Sequence, residues 1–255
     1  MPARDGSPAA TRDAAPAGRA VPAEIDDAGL AVWFTAQVAD VELPLRYQLI
    51  TGGHSNLTFE VTDAAGRRFV LRRPPRGHLL PTAHDMGREY RIIAALGAAG
   101  MPVPAAIGYC EEAAVTGAPF FVMSFVDGLV LRAEPDIDGV FDGPARYRIG
   151  EAMVDTLCAI HALDPDRIGL GDLSRRQGYI ARQLKRWYAQ YVAGRDEQGG
   201  PDVAEIDTVH AALEARIPPQ AETVVVHGDY RLDNTVIGTD GHVAAVLDWE
   251  LCALG

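Results

Sequence analysis

The chain has 255 residues, 48% of them apolar and 23% charged, enough for one large domain or two small lobes around a sizeable core, so wholesale disorder and collagen-like order are excluded. Asp plus Glu number 35 against 23 Lys plus Arg, a formal charge of −12, which argues against nucleic acid or an anionic membrane as partner, since such a surface gains nothing by meeting phosphate. Cys110, Cys158 and Cys252 are scattered with no CxxC, and Lys185 is the only lysine, so a paired-cysteine zinc site, a disulfide framework and the P-loop GxxxxGK[ST] are excluded and a reducing, cytoplasmic setting is expected. HExxH, GxSxG and GxGxxG are also absent.

In chain order, residues 1–24 are rich in Ala, Pro, Gly and Arg with no apolar h-region, and read as a disordered tail, not a secretory signal. A helix is predicted over 27–38, with Leu30, Phe34 and Val38 on one stripe. Short strands follow at 45–51, 57–62 and 69–73, the first two joined by Gly52-Gly53-His54-Ser55-Asn56 and the next two by the turn Asp63-Ala64-Ala65-Gly66. A helix over 85–96 leads to strands at 105–110 and 119–125. Residues 92–110 carry no charge, yet Gly97, Gly100, Pro102, Pro104 and Gly108 break the run, so it reads as helix, turn and strand and not as a membrane span.

After Asp127-Gly128 the pattern turns helical, over 147–163, over 179–192 with Gly194 expected to end it, and over 203–217. Strands return at 224–226, 235–237 and 243–247. A strand-rich front half and a helical back half define an α+β, two-lobe pattern, with no internal repeat.

The stretch that carries chemistry is His227-Gly228-Asp229-Tyr230-Arg231-Leu232-Asp233-Asn234, followed 14 residues beyond the Asn by Asp248-Trp249-Glu250. The strand at 224–226 delivers His227 and Asp229 onto a loop, Asn234 opens one strand of a hairpin and Asp248 closes the other. A turn over 238–242 pairs Ile237 roughly with Val243, which brings Asn234 and Asp248 to the same end of the ladder, beside Asp229. Carboxylate and amide oxygens at that density suit Mg²⁺, which takes one or two protein ligands plus phosphate oxygens. Singly, each residue has a plainer reading: Asp and Asn as turn formers, His227 as a hydrogen-bonded structural residue.

Together, HGDYRLDN and VLDWE resemble the catalytic loop and metal-binding Asp of the kinase-like fold, and more narrowly the aminoglycoside phosphotransferase family, in the branch that includes the phosphotransferase domain fused to acyl-CoA dehydrogenases. The similarity runs from about Tyr47 to the end of the chain. It implies a two-lobe fold: a small lobe over 25–126, an antiparallel sheet with a helix that binds ATP, and a larger, mainly helical catalytic lobe over 127–255. It further implies that Asp229 takes or orients the proton of a substrate hydroxyl, that Asn234 and Asp248 hold Mg²⁺, and that His227 buttresses the loop.

Arg231 lies where many protein kinases carry a phosphate-contacting lysine; its alternative is an exposed loop arginine. Gly53 and Ser55 fall in the loop that would cover the phosphates. Residues 70 and 72 share a strand face, so Val70 could roof the adenine and Arg72 could reach the phosphates in place of the usual lysine, with Arg67, Arg68, Arg73 and Arg76 as neighbours that blur the assignment. Glu89 suits a partner for Arg72; the alternative is a surface pair with Arg88 or Arg91. The segment Phe120 to Val126, including Ser124, resembles the linker whose backbone binds adenine.

Gly255 falls seven residues after Asp248, where the family's chains continue through further helices, so the larger lobe is expected to be incomplete and the isolated chain poorly stable or aggregation-prone. The leading expectation is an ATP- and Mg²⁺-dependent phosphotransferase acting on a small-molecule hydroxyl; the family's acceptors include aminoglycosides, choline-like alcohols, sugars and hydroxyacyl-CoA, and the charge of −12 leans toward a cationic one. The alternatives are a catalytically incomplete, nucleotide- or partner-binding remnant and a metal-dependent hydrolase using His227 and Asp229 as ligands. A protein kinase is disfavoured by the lack of DFG and of a lysine in the catalytic loop.

Overall fold

The computed structural model describes residues 22, 25–50, 56–75, 85–133, 138, 140–198 and 201–255; residues 1–21 of the N-terminal segment, and Gly53 and Ser55, lie outside them. Helix α1 (Asp27–Gln37) starts where the Asp26 carboxylate accepts a hydrogen bond from the Gly29 N–H. Strands β1 (Arg46–Leu49), β2 (Leu57–Thr62) and β3 (Arg68–Arg73) precede helix α2 (Met86–Ala98), which is capped in the same way by Asp85. Strand β4 (Ala106–Cys110), a short helix α3 (Ala113–Thr116) and strand β5 (Phe120–Ser124) complete an antiparallel five-stranded sheet of order β1-β2-β3-β5-β4.

The period-2 alternation of β3 decides what each face of this sheet meets. Phe69 and Leu71 pack with Leu30, Trp33 and Phe34 of α1, while Val70 joins Ile92, Ile93 and Leu96 of α2. Arg72 shares the face of Val70, and the register sets Thr58 and Phe121 opposite Arg72 and Glu60 and Met123 opposite Val70.

Beyond the sheet come α4 (Gly143–His161), α5 (Tyr179–Gln198) and α6 (Ala204–Glu214), then β6 (Val225–Val226), β7 (Thr235–Ile237), β8 (Val243–Val246) and β9 (Ala253–Leu254). Helix α4 begins four residues earlier than the periodicity suggested, because Asp142 caps it and accepts from the Ala145 N–H at 2.8 Å. Helix α5 runs through Gly194 instead of ending there. The Tyr191 hydroxyl accepts from the Val203 N–H at 2.8 Å, and Arg195 lies over the Tyr191 ring, contacts that outweigh the modest cost of a helical glycine.

Strands β7 and β8 form a hairpin with Thr235 opposite Val246 and Ile237 opposite Val243, and β6 pairs with β9. The main core is continuous between the sheet and this second part: Val70, Phe121 and Met123 share it with Ile160, Leu170, Val225, Val246 and Trp249. Gly128, at φ +152, lets the connection between the two pass close to β7; a Cβ there would lie 2.5 Å from Val236 and 2.7 Å from the Ile237 carbonyl. Among the described residues no helix is long and apolar enough to cross a membrane.

Candidate active site

Strand β6 leads straight into His227, which is buried against Trp249, the two ring centroids 4.5 Å apart. Its Nδ1 accepts from the Asp229 N–H at 3.2 Å and its Nε2 lies 2.8 Å from the Leu247 carbonyl, which requires the neutral, Nε2–H tautomer. Burial holds the imidazole below its ordinary pKa. The ring therefore braces the loop to the segment before Asp248 and does not line the cleft. Gly228 makes the sharp step that follows: its φ is +91, and a Cβ would lie 2.6 Å from the Leu251 carbonyl. Tyr230 pins the other side of the loop through its hydroxyl, which donates to the Met153 carbonyl of α4 at 2.8 Å.

Asp229 reaches the surface of the cleft with its carboxylate 44% exposed. The Asn234 amide donates to both the Asp229 carbonyl and its Oδ2, each at 2.9 Å, which leaves the amide oxygen for another partner. The Leu247 N–H donates to the Asn234 carbonyl at 2.8 Å, so the hairpin sets Asp248 next to this pair. Asp248 has φ 63 and ψ 64, a left-handed conformation that Asp adopts more readily than most L residues. Arg231, 59% exposed, stands 3.4 Å from Asp229 Oδ2 and 2.8 Å from Asp233.

Across the cleft, Arg72 forks between two carboxylates, Glu89 Oε1 at 2.6 Å and Asp248 Oδ1 at 3.2 Å. Glu89 is fully buried, and burial pushes its carboxyl up to about 7 against the pull of Arg72. Neither Arg88 nor Arg91 pairs with Glu89: Arg91 meets Asp172, and Arg88 turns to the carbonyls of Glu250 and Cys252. The Ser124 hydroxyl accepts from the Ala105 N–H at 2.9 Å and its own N–H donates to the Ala105 carbonyl at 2.9 Å, so both serve the sheet and only its carbonyl is left to the cleft. Among the described residues the Val126 N–H has no hydrogen-bond partner, and Val126 lines the cleft.

Val70, Arg72, Val126, Asp229, Asn234 and Asp248 thus border one cleft of about 570 Å³, within the ordinary range for a small-molecule site. Among the described residues Arg72 Nε is buried with no hydrogen-bond partner, a cationic donor suited to an anionic ligand. Two carboxylates and an amide oxygen on one wall fit Mg²⁺ carried by phosphate oxygens. Among the described residues no three His, Cys, Asp or Glu side chains converge as an all-protein metal cage. Two residues that pattern reading passed over also touch this region: Asn56 donates to Glu250 Oε2 at 3.1 Å, and Arg88 holds the turn after Asp248. Neither carries a local signal, since the partners lie 194 and 162 residues away.

A family model described as the phosphotransferase enzyme family (APH) matches residues 46–255, and the chain belongs to that family. It is 36% identical over 213 residues to acyl-CoA dehydrogenase family member 10 of Mus musculus, which covers 83% of this chain and 19% of that one. It is also 36% identical over 215 residues to family member 11 of Gallus gallus, covering 83% and 26%. The chain therefore spans about a fifth to a quarter of the length of these curated relatives. A solved structure from Ralstonia eutropha, classed with the aminoglycoside phosphotransferases, superposes with a TM-score of 0.72 at 34% identity, over 90% of this chain and 66% of that one. The streptomycin–ATP complex of APH(2")-IIa superposes at 0.60 with 14% identity, over 91% and 72%, a likeness of fold. The architecture is the kinase-like α+β fold of these phosphotransferases.

Proposed function

We propose that this chain transfers the γ-phosphoryl group of ATP to a hydroxyl of a small molecule, with Mg²⁺. The observation that carries the reading is the convergence on one cleft of Asp229, Asn234 and Asp248 from the hairpin side and the Arg72–Glu89 pair from the sheet side. In this reading the adenine lies between Val70 and the linker, where the Ser124 carbonyl and the Val126 N–H face it. Arg72 neutralises phosphate oxygens, with Glu89 fixing its orientation. Asn234 and Asp248 hold Mg²⁺, which when bound spreads the charge of the phosphates and aligns them.

Asp229 orients the acceptor hydroxyl and receives its proton as the oxygen attacks, and the Asn234 amide keeps that carboxylate from rotating. Arg231 adds a second cation on the acceptor side and releases Asp229 when phosphate draws it away. His227 acts by bracing the loop; Gly53 and Ser55, assigned to phosphate binding by the resemblance, lie outside the described residues. Three free thiols fit a cytoplasmic setting.

The test is Asp229→Ala, assayed with a panel of hydroxylated small molecules that spans amines, sugars and acyl thioesters. Turnover is expected to drop by about 10²–10⁴ with ADP affinity retained. Turnover unchanged by that substitution would refute the assignment. ADP binding with no acceptor phosphorylated by the wild-type chain would favour the binding-remnant alternative.

A further inference from the structure

Residues 248–252 lie against the second part of the molecule, yet side chains from three elements of the sheet lobe grip them. Arg72 of β3 holds the Asp248 carboxylate at 3.2 Å. Asn56, buried at the start of β2, donates to Glu250 Oε2 at 3.1 Å. Arg88 of α2 spreads its guanidinium over two backbone carbonyls, donating from Nη1 to Glu250 at 3.1 Å and from Nη2 to Cys252. These two carbonyls lie at the end of the 3-10 turn Trp249–Leu251, where backbone acceptors run out of partners within the turn.

The turn needs this support because of the residue before it. Asp248 sits at φ 63, a backbone conformation that L side chains seldom adopt and that persists only where the surroundings enforce it. Its own side chain is 35% exposed and, among the described residues, held by one arginine, so its direction depends on the backbone that follows. We infer that Asn56 and Arg88 are positioning residues that hold the 248–252 turn, and through it keep the Asp248 carboxylate aimed at the metal position. Neither lines the cleft. The inference rests on the phosphotransferase reading above, since it presumes the metal-holding role of Asp248.

The pair Asn56–Glu250 is a donor facing an acceptor, and this supplies a test that a merely structural role would not pass. Asn56→Asp sets two carboxylates against each other, whereas Asn56→Asp with Glu250→Gln restores the bond with donor and acceptor exchanged. ADP affinity is measured by calorimetry in EDTA and in saturating Mg²⁺ for the wild-type chain, Asn56→Asp, the exchanged pair and Arg88→Met, each checked by circular dichroism and thermal melting. The readout is the ratio of the two ADP affinities, which is the contribution of the metal.

Asn56→Asp and Arg88→Met are expected to lose about 10–100-fold of that ratio, as supporting partners of metal ligands do, with ADP affinity in EDTA close to wild type. The exchanged pair is expected to recover most of it. A wild-type ratio in folded Asn56→Asp, or no recovery in the exchanged pair, overturns the inference while leaving the phosphotransferase reading standing. If Arg88→Met does not fold, Arg88→Lys, which keeps one of the two carbonyl contacts, is expected to give an intermediate ratio; a wild-type ratio there overturns the role of Arg88. A wild-type chain that binds no ADP in either condition overturns the phosphotransferase reading, and this inference with it.

Discussion

Arg72 solves with one side chain a problem that a lysine would solve differently. The sheet lobe contains no lysine, and a guanidinium fork can satisfy Glu89 and Asp248 together where a single ammonium is a point charge. Arg72→Ala leaves Glu89 buried without its partner and is expected to cost about 3–5 kcal/mol, measured by urea denaturation. Glu89 already sits near 7, above its ordinary value, so the folded state of that variant takes up a proton more readily than the unfolded chain; the cost is largest above pH 7 and shrinks on acidification toward the unfolded value. Adding Glu89→Gln is expected to recover part of the loss at pH 8. His227 gives the opposite slope. Its pKa is lowered in the fold, so below the ordinary histidine value near 6.5 the unfolded chain binds the extra proton and stability falls with falling pH, by at most about 1.4 kcal/mol per unit for this group. Urea melts between pH 7.5 and 5 check this, and His227→Asn should remove that component of the slope.

At the scale of elements, the sheet and its two helices follow from alternation and stripe. Phe69, Leu71 and Val70 go to opposite faces because a strand has period 2, and α2 buries Ile92, Ile93 and Leu96 because they recur at helical spacing. The step from β6 into the loop of Asp229 depends instead on one glycine. Gly228→Ala forces a left-handed backbone on an L residue and drives a Cβ into the Leu251 carbonyl. The backbone conformation alone is expected to cost about 1–3 kcal/mol. Since Leu251 belongs to the turn after Asp248, the proposed function adds that the variant weakens the Mg²⁺-dependent part of ADP binding; a thermal midpoint within a degree of wild type would count against this picture. Helix α5 passes the glycine expected to end it because local propensity is a weak signal beside the packing of Tyr191 on the segment before α6.

Over the whole molecule, two unequal parts share one core, and the cleft opens where their polar groups meet. The α5–α6 pair stands apart from that core. Tyr188 stacks on His210 at 4.0 Å and its hydroxyl donates to Asp207, while α6 has no fully buried residue. The apolar stripe expected to bury Ile180, Leu184, Tyr188 and Tyr191 is only half covered, and Trp187, Val209 and Leu213 face outward. A charge on this face should therefore be tolerated: Val209→Asp, at a side chain 54% exposed, is expected to shift stability by less than about 0.5 kcal/mol. A loss of several kcal/mol in the same denaturation assay would show that the face is covered in the folded protein.

The order of elements, the α+β class and the HGDYRLDN and VLDWE segments were legible in the sequence alone. Hydrophobic periodicity and turn chemistry are local, and a loop residue type that must sit at a fixed offset from a strand leaves a local trace. The two-residue strand β9 and the 3-10 turns left none, since they are too short for any period, whereas β6 was flanked by apolar residues enough to be expected at 224–226. Tertiary structure alone decided that Arg72 meets Asp248 as well as its expected partner Glu89, that the bracing His227 ring is neutral and tied to Leu247, and that Asn56 and Arg88 reach the 248–252 turn. Those are pairings between polar groups tens to hundreds of residues apart. Which of several similar arginines meets which carboxylate is set by packing and burial after the chain has closed, and so it is written in no single stretch of it.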